Sequence, residues 1–320
     1  MRDSGAGTPA RFLLTIGDGG LCVNETGPAG RDTPAPDRGG SVAPNASFAL
    51  VICADLVYGF RGTNEPPRGE DMARKIAITN QKGGVGKTTT AVCLAAALRA
   101  AGKRALLVDL DSQGNASAAV GLIIENDGPT LKDLILEKGK ASDYIVETGW
   151  TDIIPSNNAL KDVEEKLLRR QAFDRIKTVL QPLEDRYDFI LFDCPPSFNV
   201  FTKNALVAAG EVLIPVDSGF FPLLGLKQLL EEIGYVQRSL NPALELLGVL
   251  ACKFDRRSSL SEQTYETLKS HFPDKLFRTV IRVNVEIVKA QIAQQNLFEY
   301  SPSSKGAEDF LALAQEIIHG

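Results

Sequence analysis

Residues 81–90 (QKGGVGKTTT) combine the residue types that can bind a chain of phosphates. The glycines allow the backbone to wrap around an anion and to point several N–H groups inward. Lys87 can reach the terminal phosphates as a point charge, and the hydroxyl of Thr88 can ligate Mg²⁺. The stretch predicts a site for a nucleoside triphosphate, and its expected binding residues are Lys82, Gly83, Gly84, Val85, Gly86, Lys87, Thr88 and Thr89.

This loop departs from the common phosphate-binding pattern GxxxxGK[ST] at one position. That pattern places a glycine five residues before Gly86, where this chain has Gln81. An additional cation, Lys82, lies beside the first glycine of the loop instead. A Gly-rich turn with incidental lysines is the alternative interpretation. The unbroken string KGGVGKTT between a predicted strand and a predicted helix favours the phosphate site.

Three carboxylates follow apolar runs at positions where ligands commonly bind. Asp109 closes the run RALLVD, and Asp111 lies two residues later, a spacing that points both side chains the same way if the strand continues. Asp193 closes a second run, FILFD. Because ligands of parallel α/β sheets bind at the carboxyl ends of strands, we expect Asp193 to ligate Mg²⁺ and Asp109 to support the loop or Mg²⁺. A solvated pair of helix-capping carboxylates is the alternative for Asp109 and Asp111.

Buried strands and helices alternate after Met72 and supply the framework that such a loop needs. Short apolar and β-branched runs predict strands at 75–80, 104–109, 151–155, 189–193, 211–216 and 244–253. Helical patterns cover 87–101, 160–183, 223–240, 259–271, 285–295 and 305–319. The alternation predicts an α/β fold of the P-loop NTPase kind, with a mostly parallel twisted sheet and helices on both faces.

Composition separates residues 1–71 from residues 72–320. The first segment holds 12 of the 28 Gly and 7 of the 17 Pro in the chain, and it contains no Lys. Such a composition predicts a disordered leader, whereas 72–320 reads as one folded domain. Two other interpretations of the leader stay open. In the first, the leader is upstream sequence that was included by choosing too early a start codon. In the second, it is an arm that binds a partner.

Other classes of protein are disfavoured by simple counts. No apolar run approaches the roughly 18 residues of a membrane span. The 5 Cys are widely spaced and form no CxxC motif, which argues against a zinc site and favours a reduced, cytoplasmic setting. The net charge of −5 gives no global sign of nucleic-acid binding, so any such surface has to be a local patch.

The loop resembles the deviant Walker A motif of the ParA/MinD group of P-loop ATPases. The resemblance implies that ATP is the nucleotide and that Lys82 reaches across a homodimer interface to the nucleotide of the other subunit. A cation supplied in this way would stabilise the charge on the transferred phosphoryl group, as an arginine finger does. The resemblance also implies that Asp111 orients the attacking water and that hydrolysis is coupled to dimerisation.

Nearly all of 72–320 is similar to the ParA/Soj type of partition ATPase, including residues 111–117 (DSQGNAS) and 304–310 (SKGAEDF). That type implies ATP-dependent, non-specific binding of double-stranded DNA, association with the nucleoid and a ParB-like partner that stimulates hydrolysis. The candidate DNA-binding residues are Lys253, Arg256, Arg257, Arg282 and Lys289. Glu286 stands where Soj-type proteins carry an arginine, and a solvated charged face is the alternative interpretation of the patch.

Relatives with the same chemistry but a different task define the alternatives. One is an ATPase that positions a protein cargo over the nucleoid. Another is a MinD-like ATPase on a membrane, which would need a basic amphipathic helix at the C-terminus. The helix predicted at 305–319 has an acidic polar face, so we expect it to pack on the core and expect no membrane partner.

Overall fold

A computed structural model of the chain describes residues 12–17, 20–25 and 72–320, with gaps at 126–127 and 219–221. Within the leader, strand β1 (Phe12–Gly17) pairs antiparallel with strand β2 (Gly20–Glu25) as a hairpin. The rest of the predicted disordered leader lies outside the described residues. The domain boundary at 71/72 therefore stays a prediction.

The described residues from Met72 onward form an eight-stranded sheet. Its strands are β3 (Arg74–Ile78), β4 (Ala105–Asp109), β5 (Val146–Glu147), β6 (Asp152–Ile154), β7 (Phe189–Asp193), β8 (Glu211–Asp217), β9 (Glu245–Phe254) and β10 (Ile281–Arg282). Their order across the sheet is β10-β9-β8-β3-β7-β4-β6-β5. All neighbouring strands run parallel except β5 and β6. The predicted mostly parallel sheet is confirmed.

Helices cover both faces of this sheet. They are α1 (Lys87–Ala100), α2 (Asn115–Ala119), α3 (Leu131–Ile135), α4 (Lys161–Arg169), α5 (Arg175–Leu180), α6 (Val200–Ala208), α7 (Pro222–Ser239), α8 (Ser259–His271), α9 (Val285–Ile292), α10 (Leu297–Tyr300) and α11 (Lys305–His319). Short 3₁₀ turns lie at Ala141–Tyr144, Asn158–Leu160 and Gln181–Leu183. The predicted P-loop NTPase architecture is thus present in residues 72–320.

Two hydrophobic cores result from the alternation of side chains along the strands. In β3, Ile76 and Ile78 pack into the core beneath α1 and α11, whereas Ala77 packs into the core beneath α4 to α8. Helix α1 lies between the sheet and α11, and its side chains from Thr90 to Leu98 are all buried. This sandwiched position explains why α1 is apolar around its whole circumference. The phosphate loop is therefore attached to a helix that is buried along most of its length.

The predicted helix at 160–183 is interrupted. Helix α4 ends where Gln171 adopts a left-handed backbone with φ of 50°. The N–H groups of Gln171 and Ala172 bond the carbonyls of Leu168 and Leu167, a Schellman arrangement that closes a helix. The chain then restarts as α5. A glycine commonly marks such an ending, and its absence here explains why the charge-rich sequence reads as one helix.

Helix α6 was not predicted from the sequence. It is capped by Asn199, whose side-chain oxygen accepts hydrogen bonds from the N–H groups of Phe201 and Thr202. Most of its residues are apolar or small, and most are buried, so it lacks the polar stripe that marks an amphipathic helix. Its position after Asp193 carries the chain from the end of β7 back across the sheet.

Candidate nucleotide site

The phosphate loop connects the central strand β3 to helix α1. Gly84 and Gly86 have φ of 73° and 103°, a left-handed region that residues with a Cβ rarely adopt. Gly86 is the residue that precedes the first turn of α1, so the N–H groups of that turn and the helix dipole face the loop. The local backbone is thus shaped as a cradle that fits an anion, and nucleotide binding by these residues stays a prediction.

Lys87 is held inside this cradle. Its side chain is buried, with only 7% of the residue exposed, and Nζ donates a hydrogen bond to the carbonyl oxygen of Lys82 at 3.2 Å. Burial lowers the pKa of the Lys87 ammonium, and the nearby Asp193 carboxylate opposes that shift. Because the buried ammonium has lost part of its hydration, phosphate oxygens can replace the water molecules that would otherwise bind it.

Lys82 differs from Lys87 because its side chain is exposed. Its backbone N–H donates to the side-chain oxygen of Asn80 at 3.0 Å, which fixes the start of the loop. Within the described part of the chain, no hydrogen bond or ion pair is made by its ammonium group. The two lysines of the loop therefore differ in placement: Lys87 is buried against the site, and Lys82 is exposed.

Asp193 lies at the end of β7, directly beside the loop. The residue is fully buried, and among the described residues neither carboxylate oxygen has a hydrogen-bond partner, although the Thr88 hydroxyl lies nearby. Burial, followed by the adjoining Asp109 carboxylate, raises the pKa of Asp193 well above its ordinary value. An unsatisfied buried carboxylate beside a threonine hydroxyl fits the oxygen ligands that Mg²⁺ uses.

The described protein oxygens near Asp193 are too few to bind a metal ion alone and fit a cation that is also bound by the phosphates of a nucleotide. In the residues that the structure describes, no three His, Cys, Asp or Glu side chains are grouped as a metal site of their own. Mg²⁺ is commonly held by one or two protein oxygens together with substrate phosphates. Thr88 and Asp193 would supply the protein oxygens here, as the sequence predicted.

Asp109 sits on strand β4, opposite Asp193 in the parallel register. One oxygen accepts hydrogen bonds from the N–H and hydroxyl of Ser117 at 2.9 and 2.7 Å, and the other accepts from the N–H of Asp111 at 3.1 Å. Asp109 is therefore fully buried and bonds the first turn of α2 through Ser117, whereas the alternative interpretation expected a solvated pair. Both of its oxygens thus help to shape the segment that carries Asp111. Its contact with Mg²⁺ stays a prediction.

Asp111 follows β4 and is 8% exposed. Its side-chain oxygen accepts a hydrogen bond from the N–H of Gln113 at 2.9 Å, and its carbonyl accepts from Gly114 at 2.9 Å. These bonds make a tight turn that presents the carboxylate to the phosphate loop. Gly114 has φ of 64°, and a Cβ there would lie 2.8 Å from the carbonyl oxygen of Ser156, so the turn depends on this glycine.

A cavity of about 350 Å³ joins these parts. Its lining residues are Gly83, Gly84, Gly86, Lys87, Thr88, Thr89, Asp111, Asn115, Pro196 and Lys253. The loop residues and Asp111 were predicted from the sequence, whereas Asn115 and Pro196 were not assigned to the site. Asn115 begins α2 right after the Asp111 turn, a position that could have indicated it. Lys253 was predicted to bind DNA, and it lies in this cavity instead of beside the other candidates.

The remaining candidate DNA-binding residues are not gathered into one free patch. Arg257 is exposed and pairs with Asp255, with Nε 3.2 Å from the carboxylate, and Arg256 beside it is exposed as well. Arg282 is bound to Asp309 and Glu308, and Lys289 is paired with Glu286 at 2.8 Å. Carboxylates thus pair with both of these candidate cations, and the partner of Lys289 is Glu286 itself.

The C-terminal helix α11 packs on the core, as predicted. Most of its apolar residues, among them Phe310, Leu313 and Ile317, are buried, and the helix packs against α1 and β10. The Asp309 carboxylate on this helix also accepts a hydrogen bond from the Arg282 guanidinium, and this contact connects α11 to β10. None of the helices that the structure describes combines the length and apolar character needed to cross a bilayer.

Comparison with known proteins gives a consistent result. A family model described as an AAA domain matches residues 73–246. The sporulation initiation inhibitor protein Soj of Bacillus subtilis (strain 168) is 41% identical over 249 residues, which cover 77% of this chain and 98% of Soj. The chromosome partitioning protein ParA of Caulobacter vibrioides is 41% identical over 251 residues, covering 77% and 94% of the two chains.

A solved structure resembles the fold over the same part of the chain. The crystal structure of cobyrinic acid a,c-diamide synthase from Mycobacterium smegmatis with bound ADP and magnesium has a TM-score of 0.63 and 32% identity to this chain. The match covers 76% of this chain and 93% of that one. The related structure thus holds a nucleotide and the metal for which the loop, Thr88 and Asp193 are suited.

Proposed function

Because this chain belongs to the ParA/Soj family of P-loop ATPases, we propose that it is a dimerising Mg²⁺-dependent ATPase that segregates chromosome or plasmid DNA. It binds DNA without sequence preference in its ATP-bound form and is stimulated by a ParB-like partner. The observation that carries the proposal is a phosphate loop with two differently placed lysines, one buried and one exposed, in a chain 41% identical to a chromosome partitioning protein.

The residues of the site divide the work of hydrolysis. Lys87 and the N–H groups of the loop hold the phosphates, while Thr88 and Asp193 hold Mg²⁺, which supplies neutralisation of phosphate charge. Asp111 orients the attacking water by accepting a hydrogen bond from it, since its carboxylate faces the loop from a rigid turn. Asp109 positions that turn through its bond to the Asp111 N–H.

Lys82→Ala is expected to weaken ATP-driven dimerisation strongly while leaving nucleotide binding by the monomer intact. The exposed Lys82 ammonium serves the nucleotide of the partner subunit, so its loss removes one charge-assisted contact from each half of the dimer. We expect dimerisation with a non-hydrolysable ATP analogue to weaken at least about tenfold. Sedimentation velocity measures this, with Lys166→Ala on the exposed face of α4 as the matched control. Wild-type-like dimers of Lys82→Ala would contradict the role of this residue.

ATP-dependent DNA binding tests the wider proposal. Wild-type protein should bind arbitrary duplex DNA in the presence of the ATP analogue, with an affinity that falls as salt rises. Arg257→Ala is expected to weaken this binding several-fold for all sequences and to reduce the salt slope by about 1, as expected when one cation no longer neutralises a phosphate. Fluorescence anisotropy at several salt concentrations measures both. DNA affinity that responds neither to ATP nor to Arg257→Ala would reject the DNA-based mechanism.

The partner and cargo define the remaining part of the proposal. A ParB-like protein would raise the ATPase rate and release DNA, and DNA binding would keep the ATPase on the nucleoid. An ATPase that positions a protein cargo would use the same site and the same DNA surface. The MinD-like alternative receives no support from α11, because its apolar side chains pack on the core and so are unavailable for a bilayer.

A further inference from the structure

Strand β9 contains an extra residue near its end. Ile281 of β10 is paired with Cys252, but the next residue, Arg282, is paired with Phe254, so Lys253 is left out of the ladder as a β-bulge. Lys253 also has φ of 53°, in the left-handed region that is unfavourable for a residue with a Cβ. Bulges of this kind re-aim a side chain and are common next to active sites. The bulge and the left-handed backbone together set the direction of the Lys253 side chain.

The bulge directs Lys253 to the tip of the phosphate loop. Its Nζ donates a hydrogen bond to the carbonyl oxygen of Gly84 at 2.5 Å and lies 3.6 Å from the Asp217 carboxylate at the end of β8. The Lys253 carbonyl accepts a hydrogen bond from the Ser218 hydroxyl at 2.9 Å. The Lys253 backbone is thus bonded to Ser218, just past the end of β8, and its half-exposed side chain bridges from β9 to the loop.

This contact controls the orientation of one peptide group in the loop. In a trans peptide, the carbonyl of Gly84 and the N–H of Val85 point in opposite directions. Holding the carbonyl toward Lys253 therefore turns the N–H of Val85 away from it. Gly84 has no Cβ to restrict its backbone, whereas Val85 is buried and fixed. The peptide between them is therefore free to rotate on its Gly84 side, and the hydrogen bond from Lys253 to the Gly84 carbonyl restrains it there.

The same strand supports the loop at a second point. A Cβ atom added at Gly86 would lie 3.8 Å from the Cβ and 3.9 Å from the Sγ of Cys252. The loop therefore packs against the end of β9. Cys252 and Lys253 therefore contact successive parts of the loop from one direction. By contrast, Arg256 and Arg257 lie in the exposed turn that follows, and Arg257 is paired with Asp255 of that same turn.

We infer that Lys253 is a positioning residue of the phosphate loop, and that it sets the nucleotide affinity by fixing the Gly84–Val85 peptide from the bulge in β9. The inference rests on the proposed ATPase function, because it assigns Lys253 to that site instead of to the DNA surface. Lys253 donates to the backbone of the loop and needs no contact with the nucleotide in order to act.

Nucleotide titration of full-length variants tests this role. Lys253→Met removes the ammonium and keeps the length of the side chain, so we expect the dissociation constants for fluorescent ADP and ATP analogues to rise about tenfold. Lys253→Arg retains a charged donor and is expected to restore most of the affinity. Lys269→Met, an exposed lysine of α8, is the matched control and should bind as the wild type does.

Lys253→Gly separates positioning from folding. Glycine adopts φ of 53° without strain, so this variant should unfold at a temperature no lower than the wild type. It should nevertheless lose as much nucleotide affinity as Lys253→Met. Wild-type affinity in both variants, or a loss confined to DNA binding, would overturn the inference while leaving the ATPase proposal in place. Failure of the wild-type protein to bind either nucleotide would instead reject the proposed function and this inference with it.

Discussion

Replacement of Lys87 by alanine is expected to abolish nucleotide binding, with an affinity at least about a hundredfold below that of the wild type. The ammonium is the buried cation of the loop, and it gives up hydration to occupy that place. The substitution also removes the hydrogen bond from Nζ to the Lys82 carbonyl, which helps to shape the loop. Isothermal titration with ADP and with a non-hydrolysable ATP analogue, both with Mg²⁺, measures the loss.

Stability of the Lys87→Ala variant provides the control for this experiment. Because burial lowers the pKa of Lys87 in the folded chain, its charged form is less favourable there than in the unfolded chain. Below the unfolded pKa, which includes neutral pH, the charge therefore costs stability. Without nucleotide, the variant should unfold at a temperature equal to or above that of the wild type. A folded variant that binds ATP with wild-type affinity would contradict the assignment of Lys87.

The second large effect is expected for Asp111→Ala, which should hydrolyse ATP about a thousandfold more slowly while still binding ATP and dimerising. The carboxylate faces the phosphate loop from a turn held by Gln113 and Gly114, and no other described carboxylate lines the cavity. If Asp111 orients the water as proposed, its removal slows the reaction and leaves the phosphate contacts in place. Single-turnover hydrolysis measures the rate, and sedimentation velocity shows whether the ATP-bound dimer accumulates.

Asp111→Asn distinguishes chemistry from structure at this position. The asparagine side-chain oxygen can accept the Gln113 hydrogen bond and keep the turn, but the side chain lacks the negative charge. If both variants are slow and both dimerise, the carboxylate acts on the water. If Asp111→Asn hydrolyses ATP normally while Asp111→Ala is slow, the residue acts through the turn. Normal hydrolysis by Asp111→Ala would show that another group orients the water.

The sequence predicts those parts of the fold and site that depend on local patterns. Continuous apolar runs mark the central strands, and β7 is predicted at its observed bounds because a fully buried parallel strand has no polar interruption. The loop glycines are recognisable because the left-handed backbone at Gly84 and Gly86, with φ of 73° and 103°, strongly favours glycine. Asp193 is predicted as a ligand from its place at a strand end, although its lack of hydrogen-bond partners among the described residues is visible only in the structure.

Pairings between residues distant in the sequence explain what could not be predicted. Lys253 was grouped with Arg256 and Arg257 because they are close in sequence, but the bulge turns it toward a loop 169 residues earlier. Arg282 was expected to be available for DNA, but Asp309, 27 residues later, binds it. The sequence contains both partners in each case. It holds no local signal for the strand pairing that brings them together.

The two-residue edge strands β5 and β10 have a consequence for assembly. An edge this short offers few unpaired backbone groups, so a second copy has almost no template for continuing the sheet. Such edges also protect the protein from strand-to-strand aggregation. In the proposed dimer, self-association would depend on side chains around the nucleotide, and contacts of that kind would be undone when the γ-phosphate leaves. A sheet that ends in short edges would thus suit the proposed interface, which has to be remade in every round of hydrolysis.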